Sequence, residues 1–175
     1  MKIGVYGGSF NPIHFGHIGL ANWIINNTDI DEVWLMVSPQ NPLKSTSCLE
    51  DEHERLNRAR LATQHLSHIR VSDFEFTLPR PNYTANTLRQ LSEQFPQHEF
   101  TLIIGEDNLN IFNKWREYIF ILRCYRIFVY PRKGENKSIK EIINELGDTE
   151  IKDLQYLQDA PYFNISSSEI RAIKK

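Results

Sequence analysis

Two cysteines in 175 residues, Cys48 and Cys124, are too few for a disulfide-stapled scaffold and match no metal-ligand spacing. Both are expected as free thiols in a reducing compartment. No apolar run approaches the ~20 residues that a membrane helix needs, and Met1–Tyr6 enters a strand-like run with no signal-peptide core. Neither sign of charge dominates. Twenty basic against 22 acidic side chains leave a net charge of −2, which argues against a protein that grips a nucleic-acid backbone with a broad basic face. The chain also lacks internal repeats and Gly/Pro-rich linkers. These absences point to a soluble, cytoplasmic protein with neither membrane nor nucleic-acid partners. With 41% hydrophobic and 24% charged residues, the composition is that of a globular protein, and the length suits one domain over residues 1–175 with a sizeable core.

The apolar pattern alternates between two periods. Short, nearly continuous apolar runs at residues 3–6, 32–37, 69–71, 100–104 and 126–130 read as buried strands, and 151–157 as a sixth candidate. Between them, helical spacing is expected from Phe15 to about Asn27, over 51–66, 84–94, 106–122 in at least two pieces, 138–146 and 166–173. Residues 38–49 and 77–83 read as loop and turn. Strands alternating with helices predict an α/β fold, a single Rossmann-like doubly wound domain. Its sheet should be mainly parallel, with helices on both faces. Such sheets bind ligands beyond the carboxyl ends of their strands, so the polar residues there are the candidates for chemistry.

The first strand runs into Gly7-Gly8-Ser9-Phe10-Asn11-Pro12-Ile13-His14-Phe15-Gly16-His17. Adjacent glycines let the backbone approach a ligand closely, and the amides at a helix start favour an anion. The segment is neither a P-loop nor GxGxxG. His14 and His17, three apart, share a helix face. By themselves they fit two buried, satisfied histidines, an incomplete metal pair or a phosphate contact.

GGSFNPIHFGH resembles the signature of the HxGH nucleotidyltransferases, here His14-Phe15-Gly16-His17. The resemblance implies transfer of a nucleotide monophosphate to a phosphorylated acceptor, with both imidazoles on the ATP phosphates and Gly8, Ser9, Phe10 and Gly16 lining the nucleotide. Near the other end, Asn164-Ile165-Ser166-Ser167-Ser168-Glu169-Ile170-Arg171 reads alone as a serine-capped helix with Glu at capping-box spacing. It also resembles the superfamily's ISSxxIR motif, which implies ATP contacts from Ile165, Ser166 and Ser167 and a catalytic Arg171, whose planar fork suits phosphate oxygens. Lys44 corresponds to a loop lysine that closes on the phosphates in such enzymes. Many members place a histidine just before it, where this chain has Leu43.

Three further segments narrow the acceptor. Asn82-Tyr83-Thr84 with Thr87-Leu88 is similar to the SYTxxTL segment of nicotinate mononucleotide adenylyltransferases, with Asn82 in place of Ser. Ile103-Ile104-Gly105-Glu106-Asp107-Asn108 is similar to their IIGxDN, and Trp115 follows at the expected interval. Val129-Tyr130-Pro131-Arg132-Lys133-Gly134 resembles their strand ending in a Pro-Arg-x-Gly turn. The resemblance implies that Thr84 and backbone amides bind a pyridine carboxylate and that Trp115 packs on the ring. It also puts Gly105 at the ATP site and Asp107 on the ATP ribose hydroxyls. It implies ATP and nicotinate mononucleotide as substrates and Mg2+ entering with ATP, with no metal cage made of protein side chains.

The same chemistry on nicotinamide mononucleotide or another phosphorylated acceptor is the near alternative. Phosphopantetheine fits less well, because of the Tyr83-Thr84 and Trp115 segments. From another class, a nucleotide-binding regulator without turnover is the rival that intact His14, His17 and Arg171 oppose. A class I aminoacyl-tRNA synthetase fragment would need a KMSKS-like lysine pair, which the chain lacks. The sequence leaves the oligomeric state open, a homo-oligomer included. The chain stops 175 − 171 = 4 residues after Arg171, whereas the resemblance implies a further short segment in most relatives.

Overall fold

A computed structural model describes residues 1–40, 49–134, 137–163 and 166–173. Lys44, Leu43, Cys48 and Ile165, singled out in the sequence, lie outside the described residues. The elements run β1 (Lys2–Gly8), α1 (Phe15–Asn27), β2 (Glu32–Val37), α2 (Glu52–Thr63), β3 (Ile69–Ser72), α3 (Thr84–Gln94), β4 (Glu99–Gly105), α4 (Glu106–Leu109), α5 (Tyr118–Cys124), β5 (Arg126–Tyr130), α6 (Ile139–Leu146), β6 (Asp153–Tyr156) and α7 (Ser167–Ile173). The six strands form one parallel sheet in the order β3-β2-β1-β4-β5-β6. That order reverses direction between β1 and β4 and defines the doubly wound fold.

Alternate residues of each central strand supply two cores. Val5, Trp34, Met36, Leu102, Ile104 and Val129 face α3, α5 and α6, packing with Leu88, Leu91, Ile121 and Ile142. Val33, Leu35, Val37, Ile103 and Phe128 face α1 and α2, packing with Leu20, Ile24, Leu56 and Ala59. Burial on both faces explains why these strands read as unbroken apolar runs.

The departures from the sequence reading are local. Helix α2 stops at Thr63 rather than Leu66. The Thr63 hydroxyl bonds back to the Ala59 carbonyl at 2.9 Å and the Leu66 N–H turns to the Thr63 carbonyl, so side-chain competition with the ladder ends the helix. A 3-10 turn at Phe74–Thr77 falls where the sequence shows no periodicity. Between Glu106 and Leu122 the helix breaks as expected, because a second 3-10 turn at Phe112–Lys114 is followed by Glu117 with φ of 55°. Among the described residues no helix is long and apolar enough to cross a membrane, and Cys124 is a free, exposed thiol.

Candidate active site

The crossovers diverge at the β1/β4 boundary, which opens a crevice beyond the strand ends. Its first wall is the β1–α1 turn. His14 is the N-cap of α1, with Nδ1 accepting the Gly16 amide at 3.2 Å, and the His14 amide in turn donates to Nδ1 of His17 at 3.2 Å. The HxGH motif is therefore a capping box in which imidazoles replace the usual Ser and Glu. With each Nδ1 used as an acceptor, the proton of each neutral ring sits on Nε2, so each presents an Nε2–H donor. Burial, then the nearby Arg132 charge, pulls His14 below the ordinary histidine value, with Glu169 partly opposing. Gly16 makes the arrangement possible: a Cβ there would lie 3.0 Å from Nδ1 of His14 and 3.1 Å from Cβ of Phe163.

Gly8, Ser9, Phe10, His14, His17, Asp107, Ser166, Ser167 and Arg171 line one cavity of about 410 Å³. Gly16 lines the adjoining hollow beneath Tyr130, Arg132 and Phe163. The fold thus brings together residues more than 150 positions apart. Phe10 lines the first cavity with a supported backbone. Its ring is buried and meets His17 edge-on at 5.0 Å, so it supports the imidazole and leaves only its backbone, at φ of 44°, for a ligand. The serine hydroxyls are likewise engaged by protein. Ser166 Oγ donates to Glu169 at 2.8 Å and accepts its amide, completing the capping box read from the sequence, and Ser167 Oγ donates to the Pro12 carbonyl at 2.8 Å. Arg171 donates to the Asn11 carbonyl and, at 3.0 Å, to Ser168 Oγ, which locks α7 against the HxGH segment.

On the other side of Gly7-Gly8 lies a second cavity of about 290 Å³, lined by Thr84, Trp115, Tyr83, Asn82, Glu75 and Gly105 among others. Thr84 is the first residue of α3, whose N-cap Tyr83 makes no side-chain cap bond. Gly105, expected at the ATP site, borders this cavity, yet a Cβ there would meet Asp107 Oδ1 at 2.4 Å and Arg132 Cγ at 2.6 Å. It is the thin partition between the two compartments. Tyr6, Gly7, Gly8, Asn108 and Tyr130 line both cavities, and the Tyr6 and Tyr130 hydroxyls are 3.2 Å apart.

Three functional placements escaped the sequence reading of site residues. Arg132 lines both the His14/His17 cavity and the hollow beside it, with Nε 3.7 Å from Asp107; the Pro-Arg-x-Gly turn was the available signal. Glu75, only 7% exposed, sits in the acceptor-side wall. Its Oε1 accepts from Thr87 Oγ1 at 2.8 Å and its carbonyl accepts from Asn82 Nδ2 at 2.9 Å, while burial pushes its carboxyl up. Arg55, 1% exposed, donates to the carbonyls of Ser9 (2.5 Å), Ser38 (2.9 Å), Pro39 (3.3 Å) and Glu50 (3.0 Å). It pins the β1–α1 turn to the end of β2. Helical phase separates Arg55, on the Leu56/Ala59/Thr63 face, from the exposed Arg58 and Arg60 of the same helix, but nothing in the sequence names its carbonyl partners.

Comparison with known proteins fits this geometry. A cytidylyltransferase-like family model matches residues 5–173. A Flavobacterium psychrophilum protein described as "Probable nicotinate-nucleotide adenylyltransferase" is 47% identical over 171 residues, spanning 98% of this chain and 85% of its own. A Bacteroides thetaiotaomicron protein of the same description is 44% identical over 98% of this chain and 80% of its own. The solved Plasmodium falciparum nicotinic acid mononucleotide adenylyltransferase complexed with NaAD superposes with a TM-score of 0.78 at 23% identity, over 98% of this chain and 82% of that one, a likeness of fold. By sequence over nearly its whole length, the chain belongs to the nicotinate-nucleotide adenylyltransferase family.

Proposed function

We infer that the protein transfers AMP from ATP to nicotinate mononucleotide, giving deamido-NAD and pyrophosphate in NAD biosynthesis. The observation that carries this reading is the pair of cavities meeting at Gly7-Gly8. One is walled by His14, His17, Asp107 and Arg171 for a triphosphate nucleotide, the other by Thr84 and Trp115 for a flat ring. An acceptor phosphate entering from the second compartment meets the α-phosphate of ATP held in the first. An acceptor oxygen forms the new bond to α-phosphorus, and the bond to the α,β-bridging oxygen breaks as pyrophosphate leaves. Both reacting groups are already anionic, so the protein's task is positioning and charge stabilisation.

In this reading the Nε2–H groups of His14 and His17 donate to phosphate oxygens whose charge grows in the transition state. Arg171 adds a cationic fork, Asp107 accepts from the ATP ribose hydroxyls, and backbone amides of Gly8, Ser9 and Phe10 face the nucleotide. Lys44 completes the phosphate contacts on the family resemblance. Thr84 and the uncapped amides at the start of α3 receive the ring carboxylate, while Trp115 covers the ring. Magnesium, expected to enter with ATP, would supply charge neutralisation for the triphosphate and the leaving pyrophosphate.

The test supplies purified protein with ATP, magnesium and either mononucleotide and follows pyrophosphate release. Turnover on nicotinate mononucleotide with a much lower rate on nicotinamide mononucleotide is expected. Equal rates would refute the acid preference, and no release with either would refute the reaction.

A further inference from the structure

We propose that Arg116, with Lys114 beside it, makes the acceptor cavity select an acidic ring over an amidated one. The inference rests on the functional reading above and identifies the side chains that supply its specificity. Lys114, Trp115 and Arg116 all line the acceptor cavity. Glu117 follows in a left-handed conformation, φ of 55°, a sparsely populated state for a non-glycine residue, and there the chain turns sharply into α5.

Arg116 is aimed by a second contact. Its guanidinium carbon lies 4.8 Å from the centre of the Tyr83 ring, a cation–π placement. Tyr83 is the N-cap of α3 and makes no side-chain cap bond there, and Thr84 is the first helical residue. The cation therefore stands beside the helix start that would receive a carboxylate. Glu117, its adjacent acid, is taken up elsewhere: Oε1 pairs with Arg89 at 2.8 Å. Among the described residues no acid pairs with Arg116 or Lys114. The only other formally charged side chain lining the cavity is Glu75, which is buried behind Thr87 and Asn82.

Two cations and an α-helix N-terminus facing one cavity favour an anion there. A carboxylate on the pyridine ring gains from that field and a neutral carboxamide does not. The mononucleotide phosphate is common to both acceptors and cancels in the comparison. Because both cations are exposed, the field is screened by salt.

The experiment measures kcat/KM for nicotinate and nicotinamide mononucleotides, and KM for ATP, on wild type, Arg116→Gln and Arg116→Lys at low and high salt. Arg116→Gln should lower kcat/KM on nicotinate mononucleotide roughly three- to tenfold while the value on nicotinamide mononucleotide moves less than about twofold. Arg116→Lys should recover most of the loss, and high salt should shrink the wild-type preference. Exposure of Arg116 predicts an unchanged Tm, which the same preparations report. Equal losses on both acceptors would put the cation on the shared phosphate and overturn the proposal, as would an unchanged acid-to-amide ratio. A wild type that prefers the acid while Arg116→Gln keeps that preference refutes the role of Arg116 and leaves the reaction standing. A wild type inert on both acceptors refutes the reaction and this inference with it.

Discussion

The imidazole rings of His14 and His17 stack with their centroids 3.7 Å apart and their planes 28° from parallel. Two imidazolium ions at that distance would repel strongly, and protonating either Nδ1 would break a bond that caps α1. Burial and the Arg132 charge favour the neutral form of His14, and the contacts that start the helix keep both Nδ1 atoms as acceptors. Neutral rings with their protons on Nε2 are hydrogen-bond donors, and the cationic work is left to arginine.

Replacing His17 by Ala should lower kcat by on the order of 10²–10³, the usual cost of removing one donor from a developing oxyanion. Folding should survive. The lost partner for the His14 amide is worth about 1 kcal/mol, or a Tm lower by roughly 2–4 °C in a chain this long. Steady-state turnover and a thermal melt on the same preparation check both halves. Unchanged turnover would remove the ring from the chemistry.

Stability should depend on pH through His14, whose folded value lies below the ordinary 6.5 through burial first and Arg132 second. Below that ordinary value the unfolded chain takes up a proton that the folded chain resists, so the stabilisation is complete above pH 6.5 and is lost as pH falls through the depressed folded value. His14→Asn keeps a good capping side chain without the titration. Melts at pH 7.5, 6.0 and 5.0 should show wild type losing more Tm on acidification than the variant. Parallel pH profiles would contradict the assignment.

Arg55→Met should destabilise the fold by about 3 kcal/mol, because four backbone carbonyls lose a common donor while the cost of burying a charge is relieved. That corresponds to a Tm lower by roughly 6–12 °C. The KM for ATP should rise, since the Ser9 carbonyl at the nucleotide turn loses its anchor. Differential scanning calorimetry and ATP titrations measure the two effects. A variant with wild-type Tm would mean that these carbonyls find other donors.

Most of the fold was legible because its causes are local and periodic. A continuous apolar run such as residues 33–37 needs burial on both faces, and only a sheet with helices on each side supplies it. The placement of His14 and His17 with Arg171, and of Thr84 with Trp115, was likewise anticipated, through spaced motifs whose order along the chain matched the family. What escaped notice depends on partners remote in sequence. The Phe74–Thr77 turn shows no periodicity, and Glu75 is buried by Ser38, Asn82 and Thr87 from three other segments. The hydroxyls of Ser166 and Ser167 bond to Glu169 and to the Pro12 carbonyl, the latter 155 residues away in sequence.

The sequence by itself determined the layered α/β architecture, the strand-end location of the chemistry and the family. Those follow from hydrophobic period, glycine placement and short contiguous motifs. The tertiary structure alone decided that imidazoles cap α1 and so fix their own tautomer, that Arg55 ties together four backbone carbonyls, and that Arg116 lies over Tyr83 at the acceptor's door. The first two turn on which backbone groups are left without partners once the strands have packed, and the third on two side chains that only the folded chain brings together.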